Sequence, residues 1–538
     1  MTEAALLRVR PGARTDTPLC RLAAAMAALC GWRRYGLAVL LGVSAAAAMP
    51  PVDLVPLLVV AFAGLLWLDD GSATPVASLA LGCAFGFGFF LAGLYWIAGA
   101  LFVDIALFWW LVPFAAAGLP ALFAVYVGLA LCAAHIVTRS LRLSAPARVF
   151  AFAVAWSAAE WVRGHAFGGF PWNLIGYAWS GGFPGAIAVL QSVAWVGIYG
   201  LGFATVLAAS LPALFGVTSP APISAARRWT PAVLAGLLLL GPAAAGAARL
   251  ARSPAADSAT WLRIVQPSIA QNRKWEAATA AVNFRRLIAL STAPRLRPIT
   301  AILWPEAAVP YLLERDPAAR RAIAAVVPAK GYLITGALRA NPPPGPVDAV
   351  WNSLEAIDAQ GAIVGSYDKA HLVPFGEYVP FRKFLPFRKV TAGTIDLSAG
   401  PGAATVALPG LPAFAPLICY EAIFSGAVVD RARRPDWLLN LTNDAWYGRS
   451  SGPFQHFAIA RTRAVEEGLP LVRVANNGVS GVIDGYGRVR ARVNLDAVGY
   501  ADVALPVPLQ PTFYARTGDR GLLTLLLLGM VPLAFRIR

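Results

Sequence analysis

A run of long apolar stretches limits what this chain can fold into. Crossing a bilayer takes about 17–25 apolar residues. Stretches near that length lie at 35–50, 53–69, 76–100, 112–137, 147–163, 185–215 and 231–249, and another lies at 521–536, "GLLTLLLLGMVPLAFR". The first is short and the sixth is long. The segment at 101–111, "LFVDIALFWWL", reads as a surface helix or an extra span, so the expectation is about eight transmembrane helices. Composition agrees: 58% of the 538 residues are hydrophobic and 14% are charged, against about 25% charged in ordinary soluble domains.

The net charge of +17 fits the same class. Membrane proteins gather Lys and Arg in cytoplasmic loops and against anionic lipid. No basic face with interleaved aromatics is visible, so nucleic acid is not an expected partner. Arg8, Arg10, Arg14, Arg21, Arg33 and Arg34 crowd the N-terminal segment, which is too arginine-dispersed to read as a removed signal peptide. Arg139, Arg142 and Arg148 follow the fourth span, and Arg227 and Arg228 follow the sixth. All three clusters fall on the same side, which the positive-inside rule makes cytoplasmic. Seven spans then place the next segment outside. The expected organisation is a cytoplasmic basic segment at 1–34, a transmembrane domain at 35–250, an outward-facing domain at 251–518 and a last helix at 519–538.

From about residue 255 the texture changes. Short apolar runs ("LRIVQ", "AILWPE", "GYLITGAL", "AIVGSYDK", "FAPLICYE", "WLLNLTND", "PLVRVANN", "SGVIDGYG") alternate with helical patterns at 275–293, 318–327 and 454–467. That alternation predicts an α/β domain with buried strands. Three runs end in reactive groups: Glu306, Lys369 and Cys419. Carboxyl ends of strands are where such folds place chemistry. Cysteine attacks a carbonyl as thiolate, a carboxylate takes the thiol proton, and an ammonium stabilises the oxyanion.

Other chemistries fit less well. Cys419 is alone in the polar half, since Cys20, Cys30, Cys83 and Cys132 lie among the spans. A structural disulfide within that domain is therefore excluded, and no CxxC or Cys/His pair points to zinc, so no metal and no cofactor are expected. No G-x-S-x-G elbow is present. A papain-like pair would need His371, which is too near Lys369, or His456, at a helix start; neither is the expected base.

The strings "LWPE", "YDKAHLVPFGEYVP", "ICYE" and "NDAWYG", in this order, resemble the carbon–nitrogen hydrolase (nitrilase) superfamily. With the flanking spans, the chain is similar to the apolipoprotein N-acyltransferase family. That likeness extends through "GGFPWNLIGYA" at 168–178, "VQPSIAQNRKW" at 265–275, "GPFQHF" at 452–457, "NNG" at 476–478 and "YARTGD" at 514–519. The resemblance implies an αββα sandwich carried on the membrane domain, in the inner membrane of a bacterium and facing the periplasm. It implies acyl transfer from a phospholipid, typically phosphatidylethanolamine, to Cys419, and then to the α-amine of a diacylglyceryl lipoprotein, with a monomer sufficient. By motif, Glu306 is the base, Lys369 the oxyanion stabiliser and Glu377 a supporting carboxylate. Tyr420 and Glu421 shape the pocket. Trp275, Phe375, Asn443 and Trp446 are the expected substrate-binding residues.

The apolar aromatic loop at 373–387 reads as a lid. The proline stretches at 170–172 and 374–380 read equally as a lipid entrance or as loop packing. A membrane-tethered amidase using water is the competing enzyme. A non-catalytic lipid-binding scaffold is disfavoured, because Glu306, Lys369 and Cys419 are all present.

Overall fold

The computed structural model describes residues 17–217, 225–252, 256–295, 297–341, 345–384, 388–391, 393, 395–524 and 526. Apolar helices fill the first half. Gly31–Ala46, Leu57–Asp70, Pro75–Leu94, Leu119–Ser140, Ala145–His165, Val193–Ser210 and Ala225–Ala251 follow one another in the chain. Among the described residues, four helical runs are long and apolar enough to cross a membrane: Pro75–Leu111, Phe114–Ser140, Val193–Gly216 and Trp229–Ala251. The expected count of eight is not established. Gly31–Ala46 and Leu57–Asp70 have 16 and 14 residues. Ala145–His165 carries Arg148, Glu160 and Arg163, and most of the expected last span lies outside the described residues. The 101–111 segment forms short helical turns, not a separate long helix.

Small residues let these helices approach closely, as packing without a hydrophobic drive requires. A Cβ added at Gly82 would lie 2.8 Å from the Gly128 Cα. At one end of the bundle Arg34 donates to Leu68 O at 3.0 Å, and Arg148 pairs with Asp70. At the other end the bundle meets the second domain.

Among the described residues, that domain has twelve strands: β1 (Asp257–Gln266), β2 (Ala301–Leu303), β3 (Tyr332–Ala340), β4 (Val350–Ile357), β5 (Ile363–Asp368), β6 (Val406–Leu408), β7 (Leu411–Ile418), β8 (Trp437–Thr442), β9 (Leu471–Ala475), β10 (Ser480–Ile483), β11 (Val489–Val493) and β12 (Gly499–Pro506). They form two six-stranded sheets, ordered β12-β1-β2-β3-β4-β5 and β11-β10-β9-β8-β7-β6. The pairs β1–β2 and β2–β3, and likewise β7–β8 and β8–β9, are parallel. Both faces of these inner strands are buried, which explains their continuous apolar runs.

Leu262, Leu303, Ile334 and Leu354 from one sheet pack against Phe414, Ile418, Leu439 and Val472 from the other. Helices Ala277–Thr292 and Pro317–Ala324 cover the first sheet, while Gly452–Glu467 covers the second. The result is the expected four-layer αββα sandwich.

The sandwich is fixed to the bundle by buried polar bonds. Gln455 Oε1 accepts from Trp96 Nε1 at 3.1 Å and Trp172 Nε1 at 2.8 Å, and its Nε2 donates to Gly93 O at 3.3 Å. Glu466 accepts from Ile198 N at 2.9 Å, and Gln191 donates to Tyr486 O at 2.9 Å. Replacing Gln455 by Leu strands the buried Trp172 N–H. The expected cost is about 1–3 kcal/mol, read as a lower melting temperature in detergent; an unchanged midpoint would show that docking does not rest on this amide.

Candidate active site

Cys419 directly follows β7 and opens a single helical turn, Cys419–Ile423. Its φ is +52°, a left-handed conformation that a side-chain-bearing residue adopts only when its surroundings enforce it. Three groups do so. Glu421 Oε2 accepts from Ile418 N at 2.8 Å. Asn440 Nδ2 donates to Leu417 O at 3.0 Å. His456 Nε2 lies 3.2 Å from Cys419 O. Burial, followed by the negative Glu306, pushes the thiol up to about 12, although Lys369 opposes this. At neutral pH the cysteine is therefore a thiol and needs a base to react.

Glu306 lies three residues beyond β2, on a loop that crosses β3 at Gly336. A Cβ on Gly336 would stand 2.5 Å from the Glu306 Cα, so glycine is required for this close approach. Lys369 follows β5 and is 1% exposed. Its Nζ is 2.9 Å from Glu377 Oε2 and 3.7 Å from Glu306 Oε1. Burial alone would lower Lys369, but Glu377 and Glu306 override it and hold the ammonium well above its ordinary value. Asn352, on β4, donates to both carboxylates, at 2.7 Å to Glu306 and 2.8 Å to Glu377. Glu377 also accepts from Val373 N at 2.8 Å. The result is a buried carboxylate–ammonium–carboxylate cluster in which each charge is paired and hydrogen-bonded, as burial demands.

Glu421 joins this cluster to the cysteine. Its Oε1 accepts from Tyr367 Oη at 2.7 Å, Ala370 N at 2.8 Å and His371 N at 3.2 Å. One carboxylate thus holds the turn after β5 and the turn after β7 together. Tyr420 donates its hydroxyl to Gly169 O at 3.1 Å, linking the nucleophile turn to the loop after Ala145–His165.

Both ring nitrogens of His456 are engaged: Nδ1 lies 2.9 Å from Asp444 Oδ1, and Nε2 faces the cysteine carbonyl. Burial would raise Asp444, but Arg473 and His456 lower it to about 2, so it stays ionised. With both nitrogens engaged, His456 holds the backbone of Cys419 in place. His371 instead stacks on Phe424 at 3.9 Å, with Nε2 3.1 Å from Gly168 O.

The expected substrate-binding residues fall in two groups. Trp275 and Trp446 are half-buried, and Phe375, with φ +61°, is 48% exposed. Asn443 is buried, and its amide serves protein partners: it donates to Gln271 Oε1 at 2.7 Å and accepts from Asn476 Nδ2 at 2.9 Å. Sequence reasoning did not single out Asn352, Lys274, Asn476 or Arg473. Asn352, Arg473 and Asn476 are polar in or beside an apolar run, which is the only local signal they give, and Lys274, in the polar stretch "QNRK", gives none. Among the described residues, no group of three or more His, Cys, Asp or Glu is placed to hold a metal.

Known proteins share both halves. Residues 41–211 match the apolipoprotein N-acyltransferase N-terminal domain family, and residues 262–508 match the carbon-nitrogen hydrolase family. Apolipoprotein N-acyltransferase of Rhodopseudomonas palustris is 39% identical over 97% of this chain and 98% of its own length. The enzyme of that name from Bradyrhizobium diazoefficiens is 40% identical over 93% and 94%. An amidase from the nitrilase superfamily, of Nesterenkonia AN1, aligns with 50% of this chain and 97% of its own, at 18% identity and a TM-score of 0.37.

The geometry makes Glu421 a positioning residue with a clear expected effect. Glu421→Gln replaces an oxygen that accepts a backbone N–H with an amide that cannot accept it. The two turns should separate, and a misplacement of ~1 Å costs about a hundredfold. Acyl loading of Cys419, followed by intact mass at a temperature where the variant is still folded, should fall by that order, and the unmet bond should lower the melting point; full loading would remove Glu421 from this role.

Proposed function

Since this chain belongs to the apolipoprotein N-acyltransferase family, we propose that Cys419 carries an acyl chain from a phospholipid to the α-amine of a diacylglyceryl-cysteine at a lipoprotein N-terminus. The chain is an acyltransferase built on a nitrilase fold. In the first half-reaction Glu306 takes the proton from Cys419 Sγ, and sulfur attacks the ester carbonyl. The oxyanion forms beside Lys369, which Glu377 holds in place. Collapse breaks the ester bond. Glu306 returns the proton to the departing lysophospholipid oxygen and leaves a thioester. In the second half-reaction the free α-amine attacks the thioester, the C–S bond breaks, and the proton lost by nitrogen passes through Glu306 to sulfur. The donor is a membrane phospholipid, with phosphatidylethanolamine the expected headgroup. All named residues come from one chain, so a monomer suffices.

The observation that carries this reading is the buried Glu306–Lys369–Glu377 cluster beside a Cys419 held in a left-handed turn. Its lipid character is supported by the surrounding surface. Phe167, Phe381 and Phe384 are 100%, 77% and 83% exposed, and the Phe167 loop meets the chain just after Lys369, where His371 Nε2 lies 3.1 Å from Gly168 O. Exposed aromatics at a membrane boundary favour lipid over a water-soluble amide. The loop at 373–387, of which residues 385–387 lie outside the described residues, is accordingly the lid, and it carries Phe375 half-exposed.

Orientation rests on charge. Arg34, Arg139 and Arg148 lie at the end of the bundle away from Trp96, Trp172 and Gln191, which meet the sandwich. The positive-inside rule makes that end cytoplasmic, so the sandwich faces the periplasm from the inner membrane of a bacterium.

Protein purified from its membrane should carry an acyl mass on Cys419 that hydroxylamine removes. Cys419→Ala should carry none, and Glu306→Gln should load slowly because an amide cannot accept the thiol proton. Acylation of Cys419→Ala at another residue would sink the mechanism. A periplasm-dependent reporter fused after Arg252 should be active; cytoplasmic activity there would overturn the orientation and the lipoprotein acceptor with it.

A further inference from the structure

A second lysine lies at the site, and the catalytic scheme does not use it. Lys274 is 5% exposed, and its Nζ donates to the main-chain carbonyl of Glu306 at 2.9 Å. The chain has 45 Lys and Arg residues, of which five are lysine: Lys274, Lys330, Lys369, Lys383 and Lys389. A buried ammonium is costly unless it is paired or used.

Lys369 has Glu377 at 2.9 Å. For Lys274, among the described residues, no carboxylate is recorded within ion-pair distance, and its one recorded hydrogen bond goes to a neutral carbonyl. Its position is enforced. Lys274 N donates to Gln271 O at 3.3 Å. Gln271 Oε1 accepts from Asn443 at 2.7 Å, and Asn443 accepts from Asn476 at 2.9 Å. The carboxyl ends of β8 and β9 thus hold the turn that carries Lys274 against the Glu306 loop.

We propose that Lys274 is a charge-balancing positioning residue for Cys419 acylation, compensating the negative charge as it passes from Glu306 to sulfur and then to the oxyanion. The inference rests on Cys419 being the acyl carrier. With Glu306 and Glu377 ionised and Lys369 and Lys274 charged, the pocket holds two negative and two positive groups. Transfer of the thiol proton to Glu306 keeps that balance. Loss of the Lys274 proton leaves one of the two negative charges uncompensated throughout, as charge moves from Glu306 to sulfur and on to oxygen, in a pocket where low dielectric magnifies the effect.

The groups facing Lys274 are Glu306 from the loop after β2 and Cys419 from the turn after β7, with the Trp275 ring at 5.9 Å. Burial lowers Lys274 to about 8, while Glu306 and Cys419 oppose the shift. The sign follows: the charged form is present below about pH 8 and is lost as pH rises through it. Acylation should therefore fall on the alkaline side, although a free thiol becomes more reactive there.

The test uses the full chain in detergent–phosphatidylethanolamine micelles. Cys419 acylation is followed by intact mass in single turnover, with a p-nitrophenyl acyl ester as a parallel donor, from about pH 6 to about pH 10. The parent should lose rate above about pH 8. Lys274→Met should be at least about tenfold slower at neutral pH and should lack that limb. Lys274→Arg should keep the charge and shift the limb out of range. Parent loading with no fall near pH 8, or Lys274→Met loading within about twofold of the parent with the same profile, overturns the inference while leaving the acyl-carrier reading intact. Should Lys274→Met fail to fold, the parent profile and Lys274→Arg still decide the matter. No adduct on Cys419 from either donor at any pH would overturn both.

Discussion

The site depends on one buried carboxylate that is not itself a reacting group. Glu421 accepts four hydrogen bonds, from Tyr367, Ala370, His371 and Ile418. The first three belong to the end of β5 and the turn after it; the last closes β7. These strands lie in different sheets. Sheets that meet only through apolar side chains can slide, because hydrophobic contact is not directional. Hydrogen bonds to a buried charge are directional and expensive to leave unmade. Glu421 therefore fixes the relative position of Lys369, which follows β5, and Cys419, which follows β7. Burial raises Glu421 above its ordinary value, and these donors together with Lys369 offset that shift only in part.

A similar logic joins the two domains. The helix Gly452–Glu467 covers one sheet and also offers Gln455 and Glu466 to the bundle. His456, next to Gln455, reaches the cysteine carbonyl. Adjacent residues on one helix thus set the domain interface and the nucleophile. The turn that carries Cys419 is placed relative to the helical bundle by rigid elements. Tyr420, bonded to Gly169 O, adds a second tie within one residue of the nucleophile.

Much of this was legible in the sequence, and the rest was hidden for identifiable reasons. The eight apolar runs all fall on strands, because strands buried on both faces read as continuous hydrophobic segments. The strand β4, "VWNSLEAI", was not read, since it carries Asn352, Ser353 and Glu355 at buried positions. Polar residues inside a buried strand break the pattern where they are most functional. Short or half-exposed strands such as β6 and β11 give too little alternation to detect. Glu306, Lys369 and Cys419 stood out because each closes an apolar run. Lys274, Asn476 and Gln271 did not, since their contacts join segments far apart in sequence, and Asn443, expected to bind substrate, has its amide engaged by Gln271 and Asn476. The left-handed backbone of Cys419 had no sequence signal, because no glycine marks it.

The division of labour between the two basic residue types follows from the same geometry. Where this protein buries arginine, it pairs planar forks with acceptors arranged to match. Arg263 meets both oxygens of Asp502 at 2.7 Å and three or more carbonyls. Arg463 pairs with Glu466, and Arg473 with Asp444. These are fixed structural ties that use several donors in one plane. Lys369 occupies a position of another kind, where one compact ammonium stands between Glu377 and Glu306. An arginine fork at position 369 would span Glu306 and Glu377 together and fill the space in which the acyl carbonyl must sit. A chain with forty arginines thus keeps lysine at the place where charge must be present without occupying volume.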